Sequence, residues 1–261
     1  MKLRALSMTA IAAICLLTTA CNTNQIEPSK ALPDSAYVYT IDAESNESLM
    51  QITYYTYDTR GNLILQYDSI VAIQSPYSAS KRKTEMQYNA KEKLVERKES
   101  SYSPLRETWE NGECQVFEYN EENRLVSEFI YDYFTEPLSN PDKKIFYTWT
   151  DDAHATCLAY THERLSERTE YTYNVNGKIE KAISYSLYGN TEEVLWCTTT
   201  YEYDQHGNLT EFAFYDNKGN KKMSDSYKYE YGSDGRILVE WSNFYDDYSE
   251  IQEKTKSVFY Y

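Results

Sequence analysis

The chain has 261 residues, with 26 Lys and Arg against 41 Asp and Glu, a formal charge of −15. Nucleic-acid binding needs a basic face, and none is visible; adhesion to anionic lipid is disfavoured for the same reason. The acids are spread rather than clustered, which is the pattern of a solvated surface.

Residues 1–20 read as a lipoprotein signal peptide. Lys2 and Arg4 form a basic start, and the apolar run from Ala10 to Leu17 is too short to span a membrane as a helix. Leu17-Thr-Thr-Ala-Cys21 resembles a lipobox, with Leu one place earlier than the strict pattern. That resemblance implies acylation of Cys21 and a membrane partner through the lipid. An ordinary secretory signal cut near Ala20 is the alternative. Asn22 follows, where Asp is the familiar signal for inner-membrane retention. The expected location is therefore the envelope of a Gram-negative bacterium, as an outer-membrane lipoprotein facing the periplasm or the surface. Removing Lys2 and Arg4 takes the formal charge from −15 to about −17. Residues 21–35 are polar, hold Pro28 and Pro33, and predict a flexible tether. Residues 36–261 form one repetitive β domain.

The repeat is clearest at Tyr201-Glu-Tyr-Asp-Gln-His-Gly-Asn-Leu209. Tyr201 and Tyr203 share one face of a strand. Asp204 suits the first position of a type I turn, and Gly207 the left-handed position of a three-residue hairpin loop. Asp58 and Gly61, and again Asp216 and Gly219, offer the same turn chemistry. The second aromatic recurs at Tyr57, Tyr88, Tyr119, Trp149, Tyr173, Tyr203, Tyr231 and Tyr261, at spacings of 31, 31, 30, 24, 30, 28 and 30 residues. One supersecondary unit per period is implied. Asn123 replaces the glycine in one copy. Glu92 replaces it in another, which predicts a strained or different turn there. The copy at Trp149 is worn.

This unit resembles the YD repeat of the Rhs family. The period, length and lipoprotein start resemble a second group, small envelope lipoproteins carrying a domain of unknown function with a porin-like fold. Each resemblance implies fold and not activity. Each period holds two strands, so the expectation is an all-β, antiparallel, up-and-down meander of about sixteen strands. Wide sheets curl or close, and the porin-like resemblance points to closure into a barrel. An open, coiled Rhs-like sheet is the alternative. Extending the hairpin pairing along each copy predicts one aromatic strip. It includes Tyr55, Tyr57, Leu63, Tyr67, Tyr131, Tyr185, Tyr201, Tyr203, Leu209, Tyr215 and Trp241, with Thr210, Phe212 and Phe214 on the opposite face.

No catalytic motif is present: no G-x-S-x-G, no P-loop and no H-E-x-x-H. His154 and His162 lie near Asp151, Asp152 and Cys157, but their spacing matches no zinc pattern. No metal, cofactor or catalytic residue is assigned. Cys114, Cys157 and Cys197 read as buried thiols. Trp109, Trp196 and Trp241 are candidates for stacking on a glycan or anchoring an envelope protein. The expected function is a non-catalytic, lipid-anchored envelope protein that binds or scaffolds. A glycan-binding or glycan-active protein is the alternative. An outer-membrane pore is disfavoured, because such a barrel needs an apolar outer band.

Overall fold

A computed structural model describes residues 32–71, 81–134, 138, 140–187, 192–247 and 251–261. The expected signal peptide, Cys21 and most of the expected tether fall outside the described residues. Sixteen strands follow one another: β1 (Ser35–Ile41), β2 (Glu47–Tyr57), β3 (Leu63–Ile70), β4 (Lys81–Tyr88), β5 (Leu94–Ser103), β6 (Thr108–Tyr119), β7 (Leu125–Asp132) and β8 (Lys143–Trp149). The second half contains β9 (His154–Thr161), β10 (Arg164–Tyr173), β11 (Ile179–Ser186), β12 (Val194–Tyr203), β13 (Leu209–Asp216), β14 (Lys221–Tyr231), β15 (Ile237–Asp246) and β16 (Ile251–Tyr260). Each pairs antiparallel with its chain neighbours, and β16 returns to β1 from Ser35↔Tyr260 to Ile41↔Lys254. The meander is a closed barrel, not an open coiled sheet. Closure leaves no sheet edge to pair with another chain.

One rim carries short turns of a single design. The Asp204 N–H donates to the Asn208 carbonyl at 2.9 Å and the Gly207 N–H to the Asp204 carbonyl at 3.0 Å. The Asp204 carboxylate accepts the backbone N–H groups of His206 and Asn208 at 2.9 and 2.8 Å. Asp58 does the same for Arg60 and Asn62, and Asp216, on the opposite rim, for Lys218 and Asn220. Side-chain amides of Asn62 and Asn220 also donate to these acids, holding Asp58 and Asp216 below the usual carboxylate range. Gly61, Gly207 and Gly219 have φ of 88°, 82° and 82°, where a Cβ would be strained. Glu92 adopts φ 60° in the same turn, so its loop is not of a different type. The worn copy has its own cause. His162 and Glu163, with φ of 49° and 62°, form a two-residue hairpin turn on the opposite rim, which shortens that period.

Beyond the turn, the predicted strip is corrected. Tyr203 pairs with Leu209 as the hairpin requires, but Glu202 then pairs with Glu211. Thr210 is an extra residue, a bulge that reverses which face later residues occupy. The same shift occurs at Thr56/Tyr57, Gln87/Tyr88, Glu118/Tyr119, Thr172/Tyr173 and Glu230/Tyr231. Tyr67, Tyr131, Tyr185, Tyr215 and Trp241 therefore face outward, while Phe212 and Phe214 share the inner face with Tyr201.

The inner face begins at the short-turn rim with an apolar tier. Leu63, Met86, Leu94 and Phe117 are buried there against Tyr55, Tyr57, Tyr88, Tyr119 and Leu125. Each unit's aromatic reaches one unit back. The Tyr88 hydroxyl donates to the Leu63 carbonyl at 3.0 Å, Tyr119 to Leu94 at 2.9 Å, Tyr203 to Ile179 at 2.8 Å and Tyr261 to Ile237 at 2.6 Å. Trp149 replaces the hydroxyl with its indole N–H, 2.8 Å from the Leu125 carbonyl. The turns are linked as well: Lys91 Nζ reaches the Glu121 carbonyl at 3.2 Å, and Lys178 Nζ the Gly207 carbonyl. Tyr is required here because it fills the tier and also satisfies a carbonyl next to a bulge.

Candidate functional site

Above the aromatic tier the lumen becomes polar. Gln51, Thr53, Gln66 and Asp68 form one hydrogen-bonded group: the Gln51 amide donates to Thr53 at 2.9 Å, and Asp68 accepts from the Thr53 hydroxyl at 2.8 Å and from the Gln66 amide at 3.2 Å. Arg97 pairs with Glu99 and donates to Gln115 at 3.1 Å. The Tyr147 hydroxyl donates to Glu128 at 3.2 Å, and Thr169 to Glu167 at 2.9 Å. One rule places several of these groups. In six units the residue three after the turn-following Leu or Ile faces the first large apolar residue of the motif across the hairpin, giving Tyr55–Gln66, Met86–Arg97, Phe117–Glu128, Tyr171–Ala182, Tyr201–Phe212 and Tyr229–Glu240.

These side chains are deep yet not sealed. Burial pushes the carboxyls of Asp68, Glu113, Glu128 and Asp225 above the usual range and Glu240 up to about 7, where Asp225 adds its charge. Burial likewise raises the Tyr147, Tyr171 and Tyr201 hydroxyls. Even so, Glu128, Glu240, Tyr147, Tyr171 and Tyr201 all keep accessible surface. Deep groups with accessible surface line an internal space, which is what a sixteen-strand barrel provides.

The outer face has a different character. On β4 it reads Lys81, Lys83, Glu85 and Gln87, and on β16 Lys254 and Lys256. Trp109 faces outward within a run of rings, 6.3 Å from Tyr67 and 5.7 Å from Tyr102, with Lys83 Nζ 5.6 Å from its ring centre. Trp241 faces outward on β15 beneath Lys228 at 5.5 Å. Trp196 is a bulge residue of β12, packs edge-on against inward Phe214 at 5.9 Å, and borders a groove with Glu167 and Ser186. The structure does not bring the three Trp together. The lumen acids were missed from sequence. For Glu128 and Glu240 the signal was the position three after the turn-following Leu or Ile, hidden by the bulge.

Cys157 and Cys197 face the lumen and Cys114 lies under outer-face side chains; all three are buried. Burial raises the thiols of Cys157 and Cys197 above the usual value, which keeps them unreactive. His154 Nδ1 sits 2.9 Å from Asp151 at the short-turn rim.

No family model matches the chain, and no curated protein matches it in sequence. Among solved structures, a porin-like protein from Bacteroides uniformis ATCC 8492 is similar at 11% identity. That match covers 87% of this chain and 96% of that one, with a TM-score of 0.38. A porin-like protein from Bacteroides vulgatus ATCC 8482 is 10% identical over 86% and 97% of the two chains, with a TM-score of 0.36. A Vibrio parahaemolyticus structure described as an outer membrane lipoprotein-sorting protein domain is 9% identical over 95% and 88%, with a TM-score of 0.34. Superpositions this loose establish no shared function.

Proposed function

We propose that this chain is a non-catalytic, lipid-anchored envelope protein whose closed barrel holds a polar ligand in its lumen. The observation that carries this reading is the lining: deep, partly accessible carboxylates and tyrosines above an apolar, aromatic tier. The lipobox-like sequence ending at Cys21 supports the anchor. The tether enters β1 at Ser35, on the short-turn rim. Charges along the outer faces of β4 and β16 argue against a lipid-facing band. The likeness to the YD unit of the Rhs family rests on the Asp-x-x-Gly turns and brings no activity with it.

The test is a thermal-shift screen of the full-length chain in detergent against polar metabolites, amines and oligosaccharides. A true lumen ligand raises Tm in proportion to its occupancy. If the whole library leaves Tm unchanged, the lumen reading falls and scaffolding takes its place. Cys21→Ser is expected to release the protein from membranes; an acylated, membrane-bound Cys21→Ser product would remove the anchor.

A glycan-active second reading has one observation in its favour. Glu113 and Glu128 face the same sector of the lumen, and burial raises both carboxyls, with the Glu99 charge adding at Glu113 and the Glu113 charge at Glu128. Paired carboxylates of unequal environment suit sugar hydrolysis. Turnover of an oligosaccharide that Glu128→Gln abolishes would establish it, and binding without turnover leaves the non-catalytic reading.

A further inference from the structure

The lumen divides by charge. From β3 to β10 inward bases stand among inward acids: Arg82 acts on Asp68, Arg97 pairs with Glu99, and Lys143 lies 4.0 Å from Glu167. From β13 through β16 to β1, the described inward residues include Asp225, Glu240 and Glu253 but no Lys, Arg or His.

Asp225 is the unusual member. It is 3% exposed and stands in register between Phe212 and Phe244. The Tyr227 hydroxyl donates to its carboxylate, yet Oδ1 has no hydrogen-bond partner. A buried carboxylate oxygen without a donor is costly, so native structures rarely keep one idle. A carboxylate with an aromatic residue beside it on each neighbouring strand is the chemistry that recognises an ammonium group. Glu240 lies on the same wall, opposite Tyr229, with the row Tyr227–Ser242 between the two acids. Four residues of strand separate these rows, about 13 Å along the wall. That separation is too long for both acids to ligate one metal ion, and calcium wants six or more oxygens. It suits a flexible molecule with a cation at each end.

We propose that this wall binds an α,ω-diamine or polyamine. One ammonium meets Asp225 between Phe212 and Phe244, the methylene chain crosses Tyr227, and the second ammonium meets Glu240. This assignment rests on the reading of the lumen as a ligand compartment.

Isothermal titration of the full-length chain in detergent tests it, with cadaverine and spermidine as probes and 1,5-pentanediol and calcium as comparisons. The expected result is saturable binding of both amines and none of the diol. Asp225→Asn and Glu240→Gln should each weaken amine affinity roughly tenfold or more, whereas Glu202→Gln, outside the barrel, should leave it unchanged. Asp225→Asn removes a buried charge whose Oδ1 lacks a donor and is expected to fold; near-UV circular dichroism checks this. Should it not fold, Phe244→Leu replaces it, with an expected loss of roughly threefold or more. Silent amines, equal binding by the diol, tighter binding of calcium, or an Asp225→Asn affinity matching the parent would each overturn the proposal. Silent amines beside another hit in the metabolite screen would overturn the diamine alone. Silence in both would remove the lumen reading as well.

Discussion

The two rims of the barrel are built on unlike terms. At the short-turn rim, six of the seven hairpins repeat one five-residue geometry, the worn copy at Thr150–His154 lacking its left-handed residue, and aromatics tie units to those before them. At the opposite rim the connections range from the two residues His162 and Glu163 to the segment between β3 and β4. Copies of the Asp-x-x-Gly turn occur on both, as Asp204–Asn208 and Asp216–Asn220 show. What differs is whether the turn is tied to its neighbour. The Tyr231 hydroxyl donates to Asp204 and accepts from the Asn208 amide at 2.8 Å, while a Cβ at Gly219 would meet nothing within 4 Å. Regularity belongs to the rim that the repeated aromatic ties cross, and variation to the rim joined by contacts that differ from unit to unit.

Removing a tie should have the largest effect. Tyr203→Ala takes a ring from the tier and leaves the Ile179 carbonyl without its donor, and is expected to cost roughly 3–5 kcal/mol in urea unfolding. Leu105→Ala, exposed at the opposite rim, should stay within about 0.5 kcal/mol. Similar losses at the two sites would erase the distinction between the rims.

Next in size is Glu240. Its folded carboxyl is pushed up to about 7 from an ordinary 4.5. Between those values the folded state holds more proton than the unfolded state. Stability therefore falls as pH rises from about 4.5 to 7 and stays lowered above. Glu240→Gln should raise stability at pH 8 by roughly 1–3 kcal/mol and change little at pH 4. A gain of equal size at both pH values would point to packing instead of charge.

Gly207→Val should cost roughly 1–2 kcal/mol through its left-handed backbone; the new Cβ would also meet Lys178 Nζ at 2.9 Å, a flexible end that can move. Gln205→Ala should be nearly neutral, and equal effects at 205 and 207 would remove the turn account. The smallest effect is a gain. Glu92→Gly relieves φ 60° and should add roughly 0.5–1 kcal/mol. A loss there would mean that the Glu92 side chain is needed.

Much of this was legible in the sequence because turn chemistry is local. Asp204, Gly207 and the Tyr pair declare a hairpin from nine residues, and seven recurrences declare an all-β meander. Closure was legible only through the argument that wide sheets curl. The faces were less so. A bulge at Thr210 adds one residue without changing the turn's signature, so everything beyond it was assigned to the wrong side. Trp241 shows the consequence: counted with the inner strip, it stands outside beneath Lys228. Glu240, beside it in sequence, carries the lumen charge. The link from Tyr203 to Ile179 was illegible for another reason, since it joins residues 24 apart that only the sheet brings together.

The bulge after each turn also separates what must stay from what can change. Turn, aromatic pair and Leu or Ile hold the ring closed, and the next two letters leave the inner wall untouched. The third letter alone chooses the chemistry at that point of the wall: amide at Gln66, cation at Arg97, acid at Glu128 and Glu240, methyl at Ala182, ring at Phe212. A chain built this way can acquire a new cargo by rewriting a few such letters, each in a separate unit, with no turn, tie or strand pairing disturbed.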